Sequence, residues 1–227
     1  SALSLYYTNG SKVHYDRSHN TAPDWTYWDT DDEQTFAELK TDWGGGWQTQ
    51  LTLNYREIGS DAEMLMAGGV PDATTGLGLY TYGSKFDRTE RQLLGDASVK
   101  GPFELFGREH ELVIGQSLSI SKWKAKDYTA TTYFNNSYDF YNWDGDAAEP
   151  LWTATKFNDE TTRQTGTYVT GRFSLADPLH LILGARLDWY DYQIDTLGSN
   201  TKTDKVTRNV TRYAGLIYDL NDTYSVY

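Results

Sequence analysis

From Trp47 to Arg56 the chain alternates without a break. Trp47, Thr49, Leu51, Leu53 and Tyr55 fall on one side, and Gln48, Gln50, Thr52, Asn54 and Arg56 on the other. Successive side chains of a strand point to opposite faces, so this stretch is a strand with one apolar and one strongly polar side. Helical spacing is hard to find anywhere in the chain. The apolar side carries an aromatic at each end. Such a pattern restricts the fold to sheets whose two faces meet different surroundings.

The same period recurs. In Thr35–Trp43, Ala37, Leu39 and Trp43 oppose Glu38, Lys40 and Asp42. Gly44-Gly45-Gly46 joins it to the next strand, because glycine supplies the positive φ a tight hairpin needs. Phe86–Val99 follows, with Leu94 interrupting its polar side, then Leu105–Ser121 and Thr162–Leu175. Leu179, Leu181, Leu183, Ala185, Leu187 and Trp189 form the strongest apolar stripe, against His180, Arg186, Asp188, Tyr190 and Tyr192. Thr207–Leu220 is the last full candidate, and a further strand begins near Tyr224. The reading is seven strands and a stub.

These strands, about 10 to 16 residues each, exceed the ~5–6 typical of globular sheets. Their connections alternate in length. Gly44–Gly46, Gly101–Phe103, Ala176–Pro178 and Asn221–Asp222 are expected as tight turns, whereas the stretches before Thr35, Glu57–Lys85, Lys122–Thr161 and Asp195–Val206 are expected as long loops. A soluble sandwich explains alternation but not long strands with long loops on one side. An antiparallel transmembrane β-barrel explains all three, with short periplasmic turns, long extracellular loops and aromatic girdles.

Composition agrees. Among 227 residues there are 8 Trp, 18 Tyr and 8 Phe, suited to half-wet, half-apolar surfaces. With no Cys, a disulfide scaffold, a thiolate zinc site and a cysteine nucleophile are excluded. A net charge of −12 argues against a general nucleic-acid binder. The chain starts at Ser1 without Met and shows no signal peptide, so it is expected to be a fragment.

Four stretches carry a family resemblance: TFAELKTDWGGGWQTQLTLNYRE (Thr35–Glu57), QLLGDASVKGPFELFGREHELVIGQ (Gln92–Gln116), LILGARLDWYDY (Leu181–Tyr192) and RYAGLIYDLNDTYSVY (Arg212–Tyr227). Together with the loop TAPDWTYWDTDDEQ (Thr21–Gln34), they resemble the barrel of TonB-dependent ferric-siderophore receptors. Within the family, they are most similar to receptors for hydroxamate, mixed catecholate-hydroxamate or coprogen-like siderophores. The resemblance implies an outer-membrane barrel of the 22-stranded, plugged type. This chain is then its middle slice, and the plug domain and TonB box are absent from it. It further implies a ferric siderophore as cargo rather than cofactor, energy from the TonB complex, and a monomer surrounded by outer-membrane lipid and lipopolysaccharide.

No catalytic constellation appears, so an enzyme is not expected. Gly115-Gln116-Ser117-Leu118-Ser119 misses the final glycine of a nucleophile elbow. The four histidines, His14, His19, His110 and His180, lack metal-ligand spacing. His110 is expected near a membrane interface and His180 on the lumen side. The acidic runs Asp29–Glu33 and Asp144–Asp146 fit a calcium loop poorly and read as solvated loop charge, with loop or lipopolysaccharide bridging by calcium as the alternative.

Aromatics outside the expected strands, with Tyr190 at the outer mouth, are the ligand-binding candidates: Trp25, Trp28, Tyr80, Tyr82, Trp123, Tyr128, Trp143 and Tyr190. Tyr27, Tyr138, Tyr141 and Tyr192 lie among or beside them. Rigid rings offer contact area at small entropic cost, which suits a bulky chelate. For the lumen charges Arg56, Asp96, Arg172, Arg186 and Asp188, mutual pairing competes with contact to the plug. The rival functions are a passive or substrate-specific porin, a soluble carbohydrate-binding β protein, and an outer-membrane protease or lipase.

Overall fold

The computed structural model describes residues 4–18, 20, 22–131, 139–143, 147–196 and 201–227. Its strands are β1 (Tyr27–Gly44), β2 (Trp47–Gly69), β3 (Leu79–Leu105), β4 (Arg108–Ala130), β5 (Trp152–Ala176), β6 (Leu179–Thr196), β7 (Lys202–Asp219) and the two-residue β8 (Ser225–Val226). They form one sheet in sequence order. No helix occurs among the described residues.

The seven strands and stub are those read from the alternation, but β1 to β7 are longer than expected, at 18 to 27 residues. A backbone ladder needs hydrogen bonds rather than an apolar face, so pairing continues into stretches that are polar on both sides. Much of what was expected as loop is therefore strand. The acidic run Asp29–Glu33 lies in β1, and among the described residues what stays outside strands between β2 and β7 is, turns aside, residues 70–78, 131, 139–143, 147–151 and 201. Asp144–Asp146, Tyr138 and His19 lie outside the described residues.

The expected turn at Gly101–Phe103 is also corrected. β3 runs through it and turns at Phe106 and Gly107, with φ of 55° and 70°. The ring of Trp47 covers Gly101 so closely that a Cβ there would lie 2.3 Å from it. Gly101 makes room for an aromatic instead of bending the chain. The first hairpin turns at Gly45 and Gly46, with φ of 61° and 81°, the geometry that matches strand twist.

β6 and β7 pair antiparallel and separate two faces. Leu179, Leu181, Leu183 and Leu187 oppose Tyr218, Leu216, Ala214 and Val210 on one face, and Gly184, Arg186 and Asp188 oppose Tyr213, Thr211 and Asn209 on the other. The register shifts between Asp188 and Tyr190, where Arg208 adopts a φ of 57°. One extra β7 residue there makes a bulge.

The strands are divided along their length into two compact units. Unit 1 comprises Ser1–Asp31, Ile58–Thr89 and Lys124–Asn158; unit 2 comprises Asp32–Glu57, Glu90–Trp123 and Asp159–Tyr227. Unit 1 holds the buried apolar side chains Val13, Ala62, Leu65, Leu79, Phe86 and Ala125. Unit 2 is built differently. Its buried positions are Gly101, His110, Gly115, Gly166 and Gly171, while Leu39, Trp43, Leu53, Leu183 and Leu216 stand exposed. A sheet of this size with its leucines exposed on one face has an apolar surface made for hydrocarbon.

Candidate ligand-binding surface

In unit 1, the strands carry two different side-chain clusters. On one face Trp28 of β1 donates from Nε1 to Ser60 Oγ of β2 at 2.9 Å and meets Phe86 of β3 edge to face at 5.8 Å. Arg88 lies 3.9 Å over the Phe86 ring and 3.5 Å from Asp127. Tyr80 and Tyr82 have the same parity on β3 and stack at 6.2 Å. Trp28 is 64 % exposed, Tyr80 50 % and Tyr82 45 %. This is a solvated aromatic surface with a guanidinium at its end.

The opposite parity builds a closed cluster. Lys85 forms a short ion pair with Glu63, which is almost wholly buried, and lies 5.1 Å from the Tyr128 ring and 6.0 Å from Trp152. Tyr128 donates to Asp87 Oδ2 at 2.6 Å, with Lys126 4.8 Å from its ring. Trp25 packs edge to face on Trp152 at 6.4 Å and donates from Nε1 to the Ala147 carbonyl at 2.6 Å. These contacts engage Trp25 and Tyr128 in holding the fold.

Five of the expected site residues are not in loops. Trp28 belongs to β1, Tyr80 and Tyr82 to β3, and Trp123 and Tyr128 to β4. Trp25 and Trp143 lie outside strands, and Trp143 is half-buried. Trp123 and Tyr190 belong to unit 2, where Tyr190 pairs with Val206 and Tyr192 with Asp204.

A third cluster joins three segments distant in sequence. Tyr7 meets Phe140 at 6.2 Å and Tyr141 at 6.4 Å, and Tyr15 meets Phe140 at 5.7 Å. Tyr141 donates to the Ala73 carbonyl at 2.6 Å; its hydrogen bond with Tyr7, then burial, pushes its hydroxyl up to about 12, so it stays a donor at neutral pH. Phe140 N donates to Gly76 O at 3.0 Å, and Thr8 N to Pro71 O at 3.0 Å. Asp72 caps its own loop by accepting from the Thr74 and Thr75 amides at 2.9 Å each. The Thr75 and Thr74 amides hold its carboxyl below the usual range. The reading from sequence noted Tyr141 but missed Tyr7, Tyr15 and Phe140. Their spacing carries no signal, because the contacts join the first residues to two later loops.

On the polar face of unit 2, Arg56 chelates Asp32 with Nε 2.8 Å from Oδ1, and Arg186 Nε lies 2.6 Å from Asp188 and its Nη2 2.6 Å from Ser117 Oγ. Tyr168 donates to Asp96 at 2.9 Å. Salt bridging across adjacent strands thus accounts for Arg56 alone; Arg186 and Asp188 pair within β6, and Asp96 is met by a tyrosine hydroxyl instead of a cation. Arg172 faces a cavity of about 340 Å³ with Lys100, Glu109 and Glu111. His180 Nε2 stands 3.2 Å from Asp219. His110 packs between Phe103 and Phe173, close to the β3–β4 turn. Among the described residues no cluster of acidic and histidine side chains could hold a metal ion.

Long alternating strands, an outward apolar face and an inward polar one define a β-barrel of the bacterial outer membrane. The chain belongs to the family described as TonB dependent receptor-like, beta-barrel, whose model matches residues 2–227. It is 36 % identical over 98 % of its length to the ferripyoverdine receptor of Pseudomonas aeruginosa, and 34 % identical over its whole length to the ferric-pyoverdine BN7/BN8 receptor of Pseudomonas putida. It spans 27 % and 29 % of those proteins. The crystal structure of the P. aeruginosa receptor bound to ferripyoverdine matches with a TM-score of 0.83 at 34 % identity, covering 99 % of this chain and 29 % of that one. These relatives are receptors, and their names describe no catalytic activity.

Proposed function

We propose that the protein of which this chain is a part binds a ferric siderophore of the pyoverdine type at its extracellular side and imports it with TonB-derived energy. Family membership and the pyoverdine receptors among its relatives support that reading. The chain is a section of the barrel, whose plug and energy-coupling segment belong to the rest of the protein. Iron is cargo held in its chelate, and the receptor performs no covalent chemistry.

The exposed Trp28, Tyr80 and Tyr82 with Arg88 are the part of this chain that contacts the chelate. The observation carrying this is a solvated aromatic row ending in a guanidinium. Rings supply contact area and the cation addresses oxygen-rich, electron-rich groups. Trp25 and Tyr128 act indirectly by fixing the opposite face. Trp123, Trp143 and Tyr190 remain ligand candidates from the sequence pattern. The barrel works as a monomer in outer-membrane lipid and lipopolysaccharide.

Tryptophan quenching of the full-length receptor in detergent by a panel of ferric pyoverdines tests this. Saturable quenching is expected, with Trp28→Ala weakening binding about tenfold, equivalent to ~1.4 kcal/mol. Trp25→Phe leaves the affinity unchanged. Absence of response to every chelate, together with open conductance in a planar bilayer, indicates a passive porin instead.

A further inference from the structure

The apolar ladder between β6 and β7 has one charged rung. Arg212 stands opposite Ala185, between the rungs Leu183–Ala214 and Leu187–Val210. Directly paired residues share a face, so the guanidinium stem emerges on the hydrocarbon side of the sheet. Beside it a trough of about 680 Å³ is lined by Val169, Gly171, Phe173, Leu183, Ala185 and Ala214. The trough exists because Gly171, Ala185 and Ala214 are small where their neighbours are large. Among the described residues no carboxylate lies within ion-pair distance of Arg212.

A lone cation on a lipid-facing surface is unfavourable unless an anion meets it, and long side chains reach toward the interface to find one. We infer that Arg212 and this trough form a binding site for one glycerophospholipid. Its phosphodiester pairs with the guanidinium in a charge-assisted, two-pronged contact, and one acyl chain lies in the trough. A single unpaired guanidinium matches a single phosphate. A lipid with several phosphates, such as lipid A, requires more free cations, and Lys205 higher on β7 already stands 3.5 Å from Asp191.

Native mass spectrometry of the full-length receptor, released from nanodiscs of phosphatidylglycerol and phosphatidylethanolamine, reads this directly. The wild type is expected to retain one phosphatidylglycerol, and Arg212→Gln to lower that occupancy at least fivefold. Ala214→Leu fills the trough while leaving Arg212 in place and is expected to lower it too. Equal retention by wild type and both variants overturns the site. So does retention of lipid A in place of phospholipid. A wild type that holds no lipid, with an Arg212→Gln variant of lower melting temperature, shows that a carboxylate from another part of the protein occupies the guanidinium.

Discussion

Single side chains in this sheet have environments that decide their chemical form. His110 Nδ1 accepts the Ser174 amide at 3.0 Å, and its Nε2 lies 3.0 Å from the Leu105 carbonyl. A carbonyl can only accept, so in this pair of hydrogen bonds Nε2 donates and Nδ1 accepts. His110→Phe keeps the aromatic packing and strands the Ser174 amide, which is expected to cost about 1–3 kcal/mol in urea unfolding of the full-length receptor. His110→Gln should recover part of that loss. Lys85 and Glu63 give a second test. Lys85→Met leaves a carboxylate nearly buried without its partner, so it should destabilise more than the double variant Lys85→Met/Glu63→Gln, with a coupling of about 1–3 kcal/mol in the double-mutant cycle. Asp72 sets the pH dependence of its loop. Because its carboxyl is held below the usual range, its capping is intact above the unfolded carboxylate value of about 3.9 and is lost as pH falls through the lower folded value. Amide exchange at Thr74 and Thr75 should therefore accelerate only in strong acid in the wild type. In Asp72→Ala it should be fast at neutral pH as well.

Each strand owes its length to pairing and its ends to the turns. The two hairpins at Gly45–Gly46 and Phe106–Gly107 use the same left-handed geometry but differ in cost. Glycine adopts it freely; Phe106 does not, and its ring is 94 % exposed, so packing returns little. Phe106→Asn places the residue favoured at that position and is expected to stabilise the receptor by about 0.5–1 kcal/mol. Gly46→Ala should do the reverse, since its Cβ would stand 2.8 Å from the Pro102 ring at a φ of 81°. Paired denaturation curves of the two variants check both signs. The alternation made the first of these hairpins visible, but the second turn was expected at Gly101–Phe103 because glycine and proline punctuate most sequences. The real role of Gly101 depends on Trp47, more than fifty residues earlier.

At the scale of the molecule, unit 2 is inverted relative to a water-soluble sheet. Its leucines and Trp43 face outward and its buried positions are mostly glycines. β1 and β8 also border the sheet without a second neighbour within this chain. Unpaired strand edges template association, and hydrocarbon leaves their backbone groups unsatisfied. Produced alone in detergent, the 227-residue chain is expected to run as heterogeneous oligomers in size-exclusion chromatography with light scattering. The same residues within the complete receptor should be monodisperse. A sharp monomer from the isolated chain would mean that its edges are capped internally.

What the sequence determined by itself was the seven strands and stub and their two unlike faces. These follow from a two-residue period that is local, so Trp47–Arg56 or Leu179–Trp189 could be assigned without knowing any neighbour. The bulge at Arg208 and the true extent of β3 were not legible, because hydrogen-bonded pairing can extend through polar residues that carry no alternation. The candidate surface was half legible. The abundance of Trp and Tyr announced it, but whether a given ring is exposed or engaged depends on strand parity and on partners far away in the chain. Trp25 and Trp28 are three residues apart, yet one packs against Trp152 and the other stands 64 % exposed beside Phe86. Only tertiary structure decides between them, because a ring's environment is set by what the other strands bring against it.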